Sequence, residues 1–441
     1  MDIQVETNEL KRIFFDEHRH WEQFVAKHGK RIRPQVIKEV EKFRICGTMH
    51  GGFKLFACEG CGHMKFVPYR CKGRFCTTCS NGETEEWSKV MEQELLTVPH
   101  RHVVFTMDER LWPLFCLKRE MLKALMDEAA KLLQDWFLDR YKVTIGIVMG
   151  LHTFGSRMNF NPHVHMLVTE GGMKADGEFK RIEFIPFEML RKRWQAAVLS
   201  LIRGHLNQRE RKKYRKLLDE AYRENPDGFY VHAPKRKGNV QKQLQYIGRY
   251  MRRPAISLKR IVKYDGKTVT FSYVDKTDGE EKFETLTVEE FITRIIRHIP
   301  DEHFKSIRHY GIYSRRSKKM WMERIEAWWE RTKKWLKKMA KEKRVTVRWR
   351  EKMFLSWGAD PLACPKCKQE YFEYKGEVCL QDGRLKVKYA VCETARKRLE
   401  EMIQDVSGFQ TRQERKKEKE SKHQGKKEQG GQLHLLGLRY E

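Results

Sequence analysis

The chain has 441 residues, with 90 Lys and Arg against 60 Asp and Glu, a formal charge of +30. That length suggests about two to four domains, and an excess of positive charge this large calls for a polyanionic partner, nucleic acid being the usual one. No run of about 18 apolar residues argues for a membrane span, and Met1-Asp2-Ile3-Gln4-Val5-Glu6 lacks the form of a signal peptide, so an intracellular protein is expected whose eleven cysteines are thiols or metal ligands rather than disulfides.

Residues 8 to 43 carry apolar side chains at helical spacing, among them Leu10, Phe14, Trp21 and Phe24, with Pro34 between two such segments. This predicts a small helical entry segment, 1–43. Residues 44 to 90 are different in kind: Cys58-x-x-Cys61 is followed after fourteen residues by Cys76-x-x-Cys79. Two such knuckles, here helped by Gly60 and Gly62, predict a tetrahedral Zn²⁺ site of Cys58, Cys61, Cys76 and Cys79, the metal replacing a core that so short a segment cannot build. Cys46, Cys71 and His63 are spare candidate ligands. Lys65, Arg70, Lys72 and Arg74 surround the knuckles and suit phosphate contact, although a solvated face would look the same.

Strands are predicted over residues 101 to 107, 143 to 154, around His163, and over 180 to 185, with a helix over 117 to 141 between the first two. The loop from Gly155 to Pro162 is short enough to make the second and third strands antiparallel neighbours. In Asn161-Pro162-His163-Val164-His165, alternation turns both histidines to one face and Val164 to the other. Their Cα atoms then lie roughly 6.6 Å apart, two strand rises, so both imidazoles can reach one divalent metal. Two half-buried histidines on an edge strand would read the same way. His152, near the end of the preceding strand, and Gln243 are both plausible third ligands, with His152 preferred.

A charged helical region is expected from about residue 186 to 225. Residues 239 to 253 predict a further helix, capped by Asn239 and ended by Pro254. On it Tyr246 and Tyr250 stand four residues apart and share one face. They can be core aromatics, but their neighbours Arg249, Arg252 and Arg253 do not suit a dry core. A hairpin over 258 to 275 turning at Asp265-Gly266 follows, then a helix over 287 to 297. From 318 to 339 a basic amphipathic helix is predicted. Cys364-x-x-Cys367 is one further knuckle and a possible second zinc site, and residues 410 to 432 have the composition of a disordered tail. The expected division is thus a helical segment 1–43, a zinc-binding DNA-recognition unit 44–90, a catalytic domain 91–316, and a basic helical C-terminal region 317–441.

Three motifs in this order, Cys58-x-x-Cys61 to Cys76-x-x-Cys79, His152-Thr153-Phe154-Gly155 to His163-Val164-His165, and Tyr246-Ile-Gly-Arg-Tyr250, resemble the rolling-circle transposases of the insertion-sequence ninety-one family, over roughly residues 35 to 370. His298-Ile-Pro-Asp and Arg308-His-Tyr-Gly belong to the same match. That family falls in the HUH nuclease class, named for two histidines around an apolar residue. The resemblance implies an α+β fold, an antiparallel sheet flanked by helices, with a metal on one sheet face and the tyrosine helix lying across it. It implies Mg²⁺ or Mn²⁺ held by His163, His165 and a third ligand, and a tyrosine oxygen that cuts single-stranded DNA at element ends to leave a 5′-phosphotyrosine and a free 3′-OH. Element ends and target DNA are then the partners, Arg74, Arg249, Arg252 and Arg253 are DNA contacts, Zn²⁺ is structural, and the setting is a bacterial or archaeal cytoplasm beside the nucleoid. The motif does not distinguish which tyrosine cuts first. A plasmid replication initiator or relaxase would share the chemistry without the four-cysteine unit. A non-catalytic zinc-dependent nucleic-acid-binding protein would explain the charge and cysteines but not the histidines and tyrosines.

Overall fold

The computed structural model describes residues 8–73, 75–79, 91, 94–96, 98–182, 186–233, 254–275, 277–331, 363–367 and 372–406. The chain forms two units, one of Met1–Phe14, His20–Glu41 and Lys72–Lys352, the other of Phe15–Arg19, Lys42–Cys71 and Met353–Glu441. The helices include α1 (Glu9–Phe15), α2 (His20–His28), α3 (Pro34–Ile45), α4 (Trp112–Leu117), α5 (Glu120–Tyr141), α6 (Phe187–His205), α7 (Gln208–Arg223), α8 (Val288–Ile296) and α9 (Lys318–Arg331). The strands are β1 (Gly52–Cys58), β2 (Met64–Pro68), β3 (His100–Phe105), β4 (Thr144–Phe154), β5 (Phe160–Met173), β6 (Phe179–Arg181), β7 (Val231–His232), β8 (Ile261–Tyr264), β9 (Thr268–Val274), β10 (Glu281–Thr287), β11 (Ile307–Gly311), β12 (Phe372–Gln381) and β13 (Arg384–Ala390).

The larger unit is built on an antiparallel sheet of order β11-β4-β5-β3-β7, with β6 pairing β5. β4 and β5 are interior strands, which is why both read as almost unbroken apolar runs. Alternation sorts their side chains. Ile147, Met149 and Leu151 of β4, Val164, Met166 and Val168 of β5, and Val103 and Phe105 of β3 enter one core with Leu122, Leu125, Met126 and Leu133 of α5 and Leu190, Trp194 and Val198 of α6. Each fully buried aliphatic among them contributes about 1.5–3 kcal/mol. Val148 and Leu167 face the other way and pack with Met91 and Leu95. The helix expected over 117 to 141 starts later, at Glu120, because Leu117 ends α4. α5 stops at Lys142, whose left-handed backbone (φ 54°) lets its N–H donate to the Leu138 carbonyl. The charged region from 186 to 225 is two helices, α6 and α7, broken at Asn207, which opens α7 with a reciprocal capping box to Glu210.

β8, β9 and β10 make a separate antiparallel sheet with α8 after it, so the hairpin expected at Asp265-Gly266 is present and gains a third strand. The predicted helix over 239 to 253, the tail over 410 to 432 and most of the stretch beyond Arg331 lie outside the described residues.

The second unit changes the expected division. Its sheet has the order β13-β12-β1-β2. β1 pairs with β2 next to it in sequence and with β12 from the far end of the chain, Cys58 opposite Phe372 and Gly52 opposite Cys379. The segment 44–90 is therefore not self-contained, and the region 317–441 is not simply helical. The physical reason is economy of core: a two-stranded hairpin is marginal in water, and the buried set Phe53, Leu55, Val378, Leu399 and Met402 draws on both segments.

Candidate active site and metal centres

The backbone ladder of β4 and β5 sets His152 directly opposite His163 and Gly150 opposite His165. All three histidines project from the sheet face away from the α5 and α6 core, as their alternation with Leu151 and Val164 requires. The ring centroids of His152 and His163 are 5.3 Å apart, His152 and His165 4.7 Å, and His163 and His165 4.9 Å. Each ring offers one nitrogen, and these nitrogens lie within 4.8 Å of one another. Three imidazoles converging from one sheet face fit a divalent cation that keeps further positions for other ligands. β5 is flanked by both β4 and β3, so the edge-strand alternative does not describe this pair.

The rings are oriented from behind. His163 Nδ1 donates to the Asn161 carbonyl at 2.8 Å, which leaves the lone pair on Nε2. His165 Nδ1 lies 2.9 Å from Nε2 of His102 on β3, the two rings nearly coplanar at 3°. With that proton on the inner side, His165 too presents Nε2 outward. His102 was not among the residues expected from sequence. Its only signal is parity: it alternates with Val103 and Phe105 of the core and so shares the histidine face.

The turn joining β4 to β5 is held rather than loose. Gly155 N–H donates to the Asn159 carbonyl, and a Cβ on Gly155 would stand 2.5 Å from Asn159 Oδ1, so any larger residue there would have to displace that side chain. His298 fixes the same turn: its Nε2 donates to the Met158 carbonyl at 2.9 Å and Nδ1 lies 3.2 Å from the Thr153 hydroxyl. Burial drives the His298 imidazole down to about 3, so the ring is neutral and serves as a structural tie. Asp301, three residues on, meets Arg33 and Arg119, and Arg119 also donates to the carbonyls of Arg297 and Ile299. The His298-Ile-Pro-Asp motif is thus a latch behind His152. Arg308-His-Tyr-Gly forms β11 beside β4, with Tyr310 donating to Asp127 at 2.8 Å. Gly311 at φ 58° brings its α-carbon so near the Ile145 carbonyl that no Cβ fits.

A cavity of about 70 Å³ opens beside His152, lined by Thr153, Phe154, Arg119 and His298 and by Pro254, Ala255 and Ile256. The last three begin four residues after Tyr250. Tyr246, Tyr250, Gln243, Arg249, Arg252, Arg253 and Arg74 all lie outside the described residues.

In the second unit the structure assembles a different cysteine quartet from the one expected. Cys58, Cys61, Cys364 and Cys367 present sulfurs within 4.8 Å of one another. Cys58 Sγ is 3.5 Å from Cys367 Sγ and Cys61 Sγ 3.7 Å from Cys364 Sγ. Four sulfurs about 2.3 Å from a tetrahedral zinc stand about 3.8 Å apart, so the spacing fits that ion. Cys76 and Cys79 are not in this group and belong to the other unit. The correction has a simple cause: Cys58 pairs with Phe372, so antiparallel β12 delivers the knuckle at 364–367 to the Cys58 end of β1. The first knuckle is shaped by Gly62 at φ 67°, whose N–H donates to the Cys58 carbonyl. At Cys364 burial pushes the thiol up, but the backbone N–H groups of Cys367 and Lys366 and the neighbouring thiols outweigh it and bring it down to about 6. Cys71 N–H donates to Cys46 Sγ at 3.2 Å in the same unit.

A family model described as "Putative transposase" matches residues 146–320, and one described as "Transposase zinc-binding domain" matches residues 17–107. The chain is 33% identical over 321 residues to "Transposase for insertion sequence element IS801" of Pseudomonas savastanoi pv. phaseolicola, covering 70% of this chain and 76% of that relative. It is 28% identical over 320 residues to "Putative transposase y4qJ" of Sinorhizobium fredii (strain NBRC 101917 / NGR234), covering 68% and 79%. No solved structure matches the chain. No helix among the described residues is long and apolar enough to cross a membrane. The first match spans the histidine strands and the tyrosine motif, the second binds the cysteine-rich segment to zinc chemistry, and with the relative from Pseudomonas they establish that the chain belongs to the transposases of the insertion-sequence ninety-one family.

Proposed function

We propose that this transposase nicks and rejoins single-stranded DNA at the ends of its element through a 5′-phosphotyrosine intermediate, in a rolling-circle reaction. The observation that carries the reading is the histidine triad, three converging imidazoles on one sheet face. His152, His163 and His165 would hold Mg²⁺ or Mn²⁺. Such an ion supplies charge neutralisation and orientation at a scissile phosphate. Tyr246 and Tyr250 are the candidate nucleophiles. The return of the chain from their motif into the cavity beside His152, at Pro254 to Ile256, supports placing their chemistry there.

In the proposed step a tyrosine oxygen attacks phosphorus as the phenol proton departs to solvent. The P–O bond to the 3′-oxygen breaks, leaving a 3′-OH and a phosphotyrosyl linkage at the 5′ end. One phosphodiester replaces another, so a 3′-OH can later reverse the step without ATP. Arg249, Arg252 and Arg253 would favour the phenolate, whose reference pKa is about 10. Two tyrosines permit two strands to be held in succession. Arg74 and the exposed Arg211, Lys212, Lys213, Arg215 and Lys216 of α7 suit phosphate contact, which makes binding fall with salt. Cys76 and Cys79 keep the spacing of a knuckle and remain candidate zinc ligands.

The test is incubation of labelled single-stranded element ends with the protein and Mg²⁺, followed by denaturing electrophoresis. A protein-linked band that needs the divalent ion and is absent with duplex DNA is expected. A nicked product with no covalent band would remove the tyrosine mechanism, and DNA binding with no cleavage under any divalent ion would favour a non-catalytic protein.

A further inference from the structure

We infer that one structural zinc is held jointly by knuckles from opposite ends of the chain, Cys58 and Cys61 with Cys364 and Cys367. The matched zinc-binding model stops at residue 107, so it contains only the first pair. The sulfurs that meet are 309 and 303 residues apart in sequence. Their separations, 3.5 Å and 3.7 Å, are far too long for a disulfide of about 2.05 Å and close to the edge of a ZnS₄ tetrahedron. The donor set is four sulfurs with no carboxylate among them, which selects a thiophilic ion over Mg²⁺ or Mn²⁺.

The sheet argues the same way. β1 and β12 are its two central strands and come from the two segments that carry the knuckles. The knuckles close the Cys58 end of that ladder, since Cys58 pairs with Phe372. Among the described residues the buried apolar set of this unit is Phe53, Leu55, Val378, Leu399 and Met402, with partly buried side chains such as Phe66, Leu385 and Val387 packed against it. The chain leaves this unit at Cys71 and returns to it at Met353, so the long segment Lys72–Lys352 of the other unit lies in sequence between the two knuckle-bearing segments. Zinc loading therefore waits on the C-terminal segment, and a chain cut before Cys364 cannot complete the site.

The inference is tested on the full-length, zinc-loaded protein by thiol alkylation before and after zinc extraction, with each cysteine read by mass spectrometry. Cys58, Cys61, Cys364 and Cys367 should be protected together and become reactive together, with one step in chelator concentration. Alkylation of Cys364 and Cys367 in the loaded protein, while Cys58 and Cys61 stay protected, would overturn it. Elemental analysis of variants gives a second measure. Cys364→Ser with Cys367→Ser should lose one zinc equivalent relative to the parent, as should Cys58→Ser with Cys61→Ser, and the quadruple variant should lose no more than either. Full retention of zinc in the Cys364→Ser, Cys367→Ser protein, or twice the loss in the quadruple variant, contradicts a shared ion. Cys367→His, which keeps a zinc-competent donor, should retain the equivalent, separating ligand loss from misfolding.

Discussion

The histidine group and the cysteine group are both clusters of metal-ligand side chains, but they are reached by different routes. The histidines ride on two strands joined by the five residues between Phe154 and Phe160, and their geometry follows from the backbone ladder of β4 and β5. The cysteines come from segments about 300 residues apart, and the pairing of β1 with β12 that unites them is backed, among the described residues, by five buried apolar side chains. In the first region the fold makes the site; in the second the site helps to make the fold. Metal removal should therefore silence one region and unfold the other.

The largest expected effect is at the histidines. His163→Ala or His165→Ala should lower strand cleavage by about a hundredfold or more, because metal-borne charge neutralisation is worth several kcal/mol. Circular dichroism and DNA binding should be nearly unchanged. Loss of the folded signal in both variants would mean that the imidazoles are core residues and would erase the contrast with the cysteines. His152→Ala sharpens the same point: an unchanged Mg²⁺ requirement would take it out of the ligand set.

Zinc extraction comes next. Hydrogen exchange should show β1, β2, β12 and β13 losing protection while β4 and β5 keep theirs. Equal loss in both regions would contradict the assignment of different roles to the two metals.

How much of this could be read in the chain differs between the regions for a physical reason. His163 and His165 are two apart and their strand partner follows a short turn, so alternation and loop length sufficed to bring His152 opposite them. The Cys58 knuckle has two candidate partners in sequence, Cys76-x-x-Cys79 and Cys364-x-x-Cys367; sequence proximity favours the first, and the structure brings the second to it. What decides it is the long-range β1 and β12 ladder, and strand pairing across 300 residues leaves no local trace. His102 is illegible in the sequence for a related reason: a single histidine in an apolar strand signals nothing until the register of β3 against β5 brings it to His165.

His102 accordingly gives a smaller, more pointed test. Removing a hydrogen-bond partner behind a metal ligand weakens metal affinity by about 10–100-fold. His102→Ala should do so for Mn²⁺, measured by paramagnetic resonance titration, and His102→Gln, which keeps a polar partner for Nδ1, should recover part of it. Unchanged affinity in His102→Ala would leave His102 a packing residue.

The smallest effect concerns pH. His100 is buried and its imidazole is held down to about 4, so the folded protein binds fewer protons than the unfolded chain between that value and the ordinary 6.5. Its contribution is complete above about pH 6.5 and is lost as pH falls toward 4. Urea midpoints followed from pH 7 to 4 should decline, and His100→Gln should flatten the decline. A slope unaltered by that change would assign the acid sensitivity elsewhere.

In the proposed reaction a tyrosine oxygen carries the DNA. The most direct measurement is peptide mapping by mass spectrometry of the covalent adduct formed on single-stranded element-end DNA with Mg²⁺. The adduct should sit on Tyr246 or Tyr250, and the double Tyr246→Phe, Tyr250→Phe protein should fold, bind DNA and form none. A DNA-linked peptide from any other part of the chain, or an adduct that persists in the double variant, would contradict it.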